Sequence, residues 1–151
     1  MTFKFEKLEV WQLALDYIDL IYQVADQLPK SEEYNRKSQI VRAATSIALN
    51  IAEGSTGQTD NEPARFLGLA IRSLIETIAC QRIVNRRKLL KDETLLSEAN
   101  TRAQILVAKL HTMRKAIVPE KLWLREEPAE YTVDDNQPTT EFPSSVVRPP
   151  S

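Results

Sequence analysis

Apolar residues recur at every third or fourth position along residues 1–118, which is the spacing of helices with one buried face. The first predicted helix ends before Pro29. Ser31 is a candidate N-cap for the second helix, because its hydroxyl can accept a hydrogen bond from a free amide of the first turn. That helix should end at Gly54, since glycine tolerates the left-handed position that often follows a helix. The predicted inward face of the first helix consists of Leu8, Trp11, Leu15, Ile18, Tyr22, Ala25 and Leu28.

The third and fourth helices are predicted in the same way. One of the polar residues 59–61 should cap the third helix, with Pro63 in its first turn, where no N–H partner is needed. A link near residues 90–92 leads to the fourth helix, which ends before Pro119. The third helix should bury Leu67, Ala70, Ile71, Leu74 and Ile78, with Ile75 at the edge of this face. The fourth should bury Leu95, Leu96, Ala99, Ala103, Leu106, Leu110, Met113 and Ile117. Short links make consecutive helices antiparallel, so the predicted fold class is all-α, an antiparallel up-down four-helix bundle.

The second helix has an unusual pattern, because residues 38–52 contain a single charged residue, Arg42. One side forms the predicted core, and the opposite side is also small or apolar. The core side consists of Ile40, Ala43, Ala44, Ile47 and Ile51. A helix that is apolar on two sides needs cover on both, whereas a four-helix bundle covers one. We therefore predict a homo-oligomer, the alternative being that the small residues are ordinary surface positions. The predicted subunit interface consists of Val41, Thr45, Ala48, Leu49 and Ala52.

A narrow polar stripe separates the two apolar sides of this helix. Arg42 buried in the stripe would need a carboxylate partner, and Glu76 of the third helix is the best candidate. In that case Glu76→Ala should cost about 3–5 kcal/mol. The stripe is either a hydrogen-bond network that fixes helix register, which we favour, or a ligand or catalytic site. The predicted network consists of Gln39, Arg42, Ser46, Asn50, Glu53 and Glu76.

Charge divides the chain into two segments. The whole chain carries 20 Lys and Arg against 21 Asp and Glu, and six of its eight prolines lie in residues 119–151. Residues 1–118 hold 17 of the cations and 14 of the anions, a net charge of +3, so residues 119–151 have a net charge of −4. We interpret 1–118 as the bundle and 119–151 as an acidic, Pro-rich and largely disordered tail. Neither an apolar leader nor a membrane-spanning run is present, so a cytoplasmic protein without a membrane partner is expected.

The residue inventory argues against most catalytic sites. One cysteine and one histidine cannot form a Cys/His zinc site, and His111 lacks the glutamate three residues earlier that di-iron bundles use. No glycine-rich phosphate loop is present. We therefore predict a protein with no cofactor and no metal that is not an enzyme. The enzyme alternative would require a solvent-connected pocket combining Asn50, Glu53 and Glu76.

Nucleic-acid binding has better support from the sequence. Residues 82–91 contain five cations and no carboxylate. Guanidinium groups suit phosphate oxygens, and phosphate contacts supply most sequence-independent affinity for RNA or DNA. The alternative is a solvated helix end whose cations the helix dipole favours. The candidate nucleic-acid-binding residues are Arg65, Arg72, Arg82, Arg86, Arg87, Lys88 and Lys91.

Four sequence blocks add a family resemblance to this interpretation. They lie within residues 5–14, 39–47, 50–54 and 65–76, and they read FxxLEVWQxA, QIxRAAxSI, NIAEG and RFLxxAxxSxxE. In this order they resemble the four-helix-bundle proteins encoded in intervening sequences of bacterial 23S ribosomal RNA. That family is related to the accessory variability determinant of diversity-generating retroelements.

The resemblance covers about residues 3–115 and implies a bundle that assembles as a ring, commonly a homopentamer. It also implies RNA or DNA binding through a basic surface and a reverse transcriptase as partner. This chain departs from the retroelement relatives in its near-zero net charge and its acidic segment 119–151. We therefore expect an oligomeric accessory factor that binds nucleic acid. The alternative is a protein-interaction scaffold whose partner docks on the ring or on the acidic segment.

Overall fold

The computed structural model describes residues 1–56 and 61–117 of the chain. A 3₁₀ turn, Lys4–Lys7, precedes the first helix, and no strand occurs in either described range. The all-α fold class is therefore confirmed. The four helices are α1 (Glu9–Asp26), α2 (Ser38–Gly54), α3 (Asn61–Arg86) and α4 (Glu93–Ile117).

Neighbouring helices run in opposite directions, as the short links predict. Gln39 at the start of α2 donates to Glu76, well along α3, whereas Gly54 at the end of α2 lies against Phe66 near the start of α3. Each helix packs on two others, because α1 contacts α4 as well as α2, and α3 contacts both α2 and α4. The result is a closed up-down bundle around one apolar core.

The predicted inward face of α1 is partly wrong. Tyr17 and Ile21 are fully buried, while Leu15 and Tyr22, which should face the core, are 36% and 47% exposed. Two apolar stripes lie side by side on α1, separated by about 100° around the helix. Periodicity shows both stripes but does not say which one the other helices cover.

The core faces of the other helices follow the predictions more closely. On α3 the structure leaves Ile75 half exposed and Ile78 partly buried, and on α4 Met113 and Ile117 lie at the edge of the core. The predicted inward residues that are fully confirmed are Ile40, Ala43, Ala44, Ile47 and Ile51 of α2, Leu67, Ala70, Ile71 and Leu74 of α3, and Leu95, Leu96, Ala99, Ala103, Leu106 and Leu110 of α4.

The start of α2 is six residues later than predicted. Ser31 lies in a 3₁₀ turn, Lys30–Glu32, and makes no capping hydrogen bond, so the prediction that it caps α2 is wrong. A wide π-helical turn, Glu33–Lys37, follows and leads directly into α2. None of residues 30–37 is buried. Because this link offers the core no apolar side chain, its shape is set by polar contacts with the neighbouring helix ends.

Gly54 ends α2 for a different reason from the one predicted. Its backbone is not left-handed, and the residue after the helix, Ser55, has a φ of −76°. A Cβ atom at position 54 would lie 3.0 Å from the Cβ of Phe66. The glycine is therefore needed for the close approach of α2 and α3, and not for backbone freedom.

The left-handed residue of this fold is at the end of α3 instead. Lys88 has a φ of 53°, and its amide donates to the carbonyl of Asn85 at 3.1 Å while the amide of Leu89 donates to the carbonyl of Val84 at 3.1 Å. These two hydrogen bonds form a Schellman motif, in which glycine is the usual left-handed residue. A lysine at this position carries a conformational cost of roughly 1 kcal/mol.

The start of α4 is capped by Asp92, which lies in the predicted link. Asp92 accepts hydrogen bonds from the Thr94 amide at 2.9 Å and from the Thr94 hydroxyl. These bonds hold the pKa of the Asp92 carboxyl below its usual value. The carboxylate therefore stays charged where it stabilises the helix N-terminus.

Two of the predictions lie outside the described residues. They are the acidic segment 119–151, with its boundary after residue 118, and the use of residue 59 or 60 as the cap of α3. Among the helices of the described part, none has the length and apolarity to cross a bilayer.

Candidate functional site

The predicted polar stripe lies along the contact between α2 and α3. Ser46 and Ser73 share a hydrogen bond of 2.9 Å across the two helices, and the amide nitrogen of Gln39 is 3.4 Å from a carboxylate oxygen of Glu76. Asn50 donates to the carbonyl and to the hydroxyl of Ser46, at 2.8 and 3.0 Å. Four of the six predicted network residues are thus connected to one another or to α3.

The other two predicted members, Arg42 and Glu53, are exposed. Arg42 donates to the hydroxyl of Ser38 at 3.3 Å, and its predicted burial against Glu76 is wrong. The stripe opens into a groove at the end of the bundle, so water solvates the guanidinium and no carboxylate partner is required. Glu53 is separated from Glu76 because the antiparallel helices place Glu76 beside the start of α2.

The groove is polar, about 860 Å³ in volume, and it lies between the link before α2 and the end of α3. Its charged walls are three guanidinium groups and two carboxylates, those of Glu32 and Glu76. Arg36 is held in place by a 2.8 Å hydrogen bond to the Gln39 side-chain oxygen. The wall residues that bear on function are Tyr34, Arg36, Gln39, Arg42, Glu76 and Arg87.

The groove does not bring together the residues of the enzyme alternative. Glu76 lines it, whereas Asn50 and Glu53 do not. Cys80 is buried, and burial raises the pKa of its thiol, which is consistent with a packed and unreactive side chain. Within residues 1–56 and 61–117 no group of three His, Cys, Asp or Glu side chains is placed to hold a metal ion.

The predicted basic residues are all exposed in the structure. Arg65 lies over the ring of Phe66, with 5.5 Å between the guanidinium carbon and the ring centroid, at the beginning of α3. The others follow α3 to its end and continue into the link before α4. The five cations of residues 82–91, which we name the basic end, are Arg82, Arg86, Arg87, Lys88 and Lys91.

Only one member of the basic end forms an ion pair with a described residue. Lys88 Nζ lies 3.0 Å from a carboxylate oxygen of Glu93, and both side chains are largely exposed. Such a surface pair contributes little to stability and is easily exchanged for another anion. Arg87 also lines the groove, so the basic end and the groove are continuous.

The second side of α2 is partly covered by the chain itself. Ala48 is buried within the bundle core, so its predicted place in a subunit interface is wrong for the single chain. Val41, Thr45 and Ala52 are half-buried, and Leu49 is 59% exposed. The uncovered apolar surface is therefore narrower on α2 than predicted.

This surface is widened by α1. The second apolar stripe of α1 includes Leu15 and Tyr22, both exposed. Tyr22 and Val41 line one groove of about 510 Å³ between α1 and α2. The uncovered side of α2 and the second stripe of α1 together form one surface, which we name the α1/α2 face.

A buried polar cluster was not predicted from the sequence. Gln81 donates to the Tyr17 hydroxyl at 2.6 Å, Tyr17 shares a 2.7 Å hydrogen bond with the Thr77 hydroxyl, and Thr77 donates to the Leu74 carbonyl at 2.6 Å. Burial raises the pKa of Tyr17 to about 12. In the sequence, Tyr17, Thr77 and Gln81 stand at positions where the helical spacing predicts buried residues. Polar residues at such positions could have indicated a buried hydrogen-bond cluster. The cluster has no path to solvent and is structural.

Comparison with known proteins identifies a matching family and a similar solved structure. Residues 6–111 match the model of a protein family described as 23S rRNA-intervening sequence protein. Among solved structures, the chain is similar to a protein with unknown function from the S23 ribosomal protein family of Bacteroides thetaiotaomicron, at 21% sequence identity and a TM-score of 0.64. That match covers 70% of this chain and 95% of the other, and at this identity it shows the fold alone. No curated protein matches the chain.

Proposed function

Because the chain belongs to the 23S rRNA-intervening sequence protein family, we propose that it is a non-enzymatic, oligomeric bundle that binds nucleic acid through its basic end. It acts as an accessory factor to another nucleic-acid-handling protein. A reverse transcriptase is the partner class carried over from the retroelement proteins that the family resembles. A ring of five subunits is the assembly carried over in the same way.

The exposure of the basic end is the observation that carries the proposal. Five cations occur within ten residues, all of them at the surface, and no carboxylate interrupts them before Asp92. Glu93 pairs with Lys88 alone. An arginine-rich surface of this kind suits the bidentate geometry of phosphate oxygens. Repetition of the surface in an oligomer would add weak contacts through avidity.

A charge-reversal experiment tests the proposal. The double variant Arg86→Glu/Arg87→Glu should weaken binding of a fluorescein-labelled RNA at least tenfold in fluorescence anisotropy, because repulsion replaces two phosphate contacts. The matched control is Lys4→Glu/Lys7→Glu, which reverses the same number of exposed charges in the turn before α1, at the opposite end of the bundle. An equal loss in both variants, or no loss in either, would remove the basic end as the binding surface.

The oligomeric part of the proposal is supported by the α1/α2 face. Leu49 exposes more than half of its surface in the single chain, and Leu15 and Tyr22 are also uncovered. Several large apolar side chains on one side of a small protein are typical of an interface. Leu49→Glu should dissociate the assembly in light scattering, whereas Ile105→Glu, at an exposed apolar position of α4, should leave it intact. A wild-type chain that scatters as a monomer at micromolar concentration would contradict the oligomer.

A protein-interaction scaffold is the second candidate. It is favoured by the same α1/α2 face and by the acidic, Pro-rich sequence of residues 119–151. Deletion of residues 119–151 should abolish capture of a purified partner without weakening RNA binding if the scaffold is correct. Stronger RNA binding after the deletion would instead indicate that the acidic segment competes for the basic end.

A further inference from the structure

The polar groove beside the basic end has a wall that the proposed function does not use. Tyr34 lies in the π-helical turn before α2 and is 94% exposed. Burial therefore gives this large aromatic ring almost no stabilisation in the single chain. Tyr34 lines the same cavity as the guanidinium-bearing Arg36, Arg42 and Arg87.

The groove walls combine three kinds of chemistry. Three guanidinium groups offer forks for phosphate oxygens, and a tyrosine ring offers a platform on which a base can stack. Gln39 and Glu76 offer an amide and a carboxylate that suit the polar edge of a base. The two carboxylates of the groove, Glu32 and Glu76, leave it with one net positive charge.

From this juxtaposition we propose that the groove binds one nucleotide of a single-stranded nucleic acid, with its base on Tyr34 and its phosphate on Arg42 and Arg87. A base in a duplex is already stacked on both faces and cannot reach such a platform without being flipped out. The groove thus adds a preference for single strands to the charge-based binding of the basic end. The inference rests on the proposed function, because Arg87 belongs to both surfaces.

The size and position of the groove agree with one nucleotide. A volume of about 860 Å³ is within the range of pockets that hold small ligands. Arg36 is fixed by Gln39, and Gln39 in turn lies against Glu76, so this part of the wall is ordered before a ligand arrives. Tyr34 and Arg42 also line the smaller groove of the α1/α2 face, so they lie at the border between the two surfaces. Arg36, Gln39, Glu76 and Arg87 line the polar groove and not the smaller one.

Substitution of Tyr34 tests the inference on the full chain. The probes are a fluorescein-labelled 12-nucleotide oligouridine, the matching oligothymidine and a 12-base-pair RNA duplex. Tyr34→Ala should weaken binding of one or both single strands about tenfold and change duplex binding less than twofold. Tyr34→Phe keeps the ring and should bind like the wild type. Phe3→Ala removes an exposed aromatic ring before α1, at the opposite end of the bundle, and is the matched control, expected to change neither probe class.

The outcomes separate this inference from the proposed function. Equal effects of Tyr34→Ala on single strands and duplex, or no effect on either, would overturn the groove while charge reversal at Arg86 and Arg87 still tests the basic end. A wild-type protein that binds none of the three probes would overturn both. Loss of the single-strand preference in Tyr34→Ala, with unchanged helical circular dichroism, would support the groove.

Photo-cross-linking gives an independent readout. An oligouridine carrying 4-thiouridine should cross-link to a peptide containing Tyr34, and mass spectrometry should locate the adduct within residues 32–42. The yield should fall in Arg42→Gln, which removes a guanidinium from the groove without touching the basic end. An adduct confined to α4 would contradict the proposed site.

Discussion

The bundle contains two polar clusters between helices, and they differ in how they meet water. The Tyr17 cluster is closed, and the Tyr17 hydroxyl bonds both Thr77 and the side-chain nitrogen of Gln81, while the buried side-chain oxygen of Gln81 has no partner among the described residues. The stripe of Gln39, Ser46 and Glu76 is open along one edge, with hydrogen bonds of up to 3.4 Å. The role of the closed cluster is to fix the register of the helices that it joins. The open stripe leaves polar groups available to a ligand.

Alkaline titration should show the largest difference between the two clusters. The pKa of Tyr17 is raised to about 12, from 10 for an unfolded tyrosine. Between pH 10 and 12 the unfolded chain loses this proton while the folded chain keeps it, so the free energy of unfolding falls as pH rises. The loss should be about 2–3 kcal/mol across this window. Denaturant unfolding should show this component in the wild type and not in Tyr17→Phe.

Removal of the Tyr17 hydroxyl at neutral pH should have the next largest effect. Tyr17→Phe leaves the Gln81 side-chain amide without its acceptor in the core, which should cost about 1–3 kcal/mol. The matched control, Tyr22→Phe, removes an exposed hydroxyl and should change stability by less than about 0.5 kcal/mol. Equal stabilities of the two variants would mean that the closed cluster contributes nothing.

A substitution at the basic end should raise stability slightly. Lys88→Gly relieves the left-handed backbone of the Schellman motif and should stabilise the fold by roughly 0.5–1 kcal/mol. The exposed ion pair with Glu93 that it removes is worth less. If the same variant weakens RNA binding, the lysine is retained at a cost in stability because it contacts phosphate. A Lys88→Gly variant that is less stable than the wild type would contradict the conformational cost assigned to the left-handed lysine.

The smallest effect is expected in the open stripe. Because Arg42 is exposed and bonds Ser38, Glu76→Ala should cost less than about 1 kcal/mol in chemical denaturation, and not the 3–5 kcal/mol expected for a buried pair. A loss above about 2 kcal/mol would mean that Arg42 and Glu76 are paired away from water in the assembled protein.

The sequence predicts the helices and most of the core because apolar periodicity is a local signal. It does not choose between the two apolar stripes of α1, since that choice depends on which helices cover Tyr17 and which leave Tyr22 exposed. It also assigns Gly54 a turn role, although the need for glycine comes from Phe66 on another helix. These errors share one cause, because the spacing of apolar residues along one helix does not show which residues of another helix it will contact.

The basic end is predicted from the sequence, whereas the groove beside it is not. The cations of residues 82–91 are adjacent in sequence, so their clustering is visible without a structure. Tyr34 and Arg36 line the groove together with Arg87, one of these cations, because α2 and α3 are antiparallel and the link before α2 forms a wide turn. The predicted burial of Arg42 against Glu76 is wrong because both side chains line this groove, which is open to water.

The salt dependence of RNA binding tests the central claim, phosphate contact by the basic end, most directly. The logarithm of the association constant should fall linearly with the logarithm of salt concentration, with a slope of about −0.7 per phosphate contact on a single strand. Arg86→Glu/Arg87→Glu should reduce the magnitude of that slope by about 1.4, for two lost contacts. A slope that is the same in this variant and in the wild type would contradict the account.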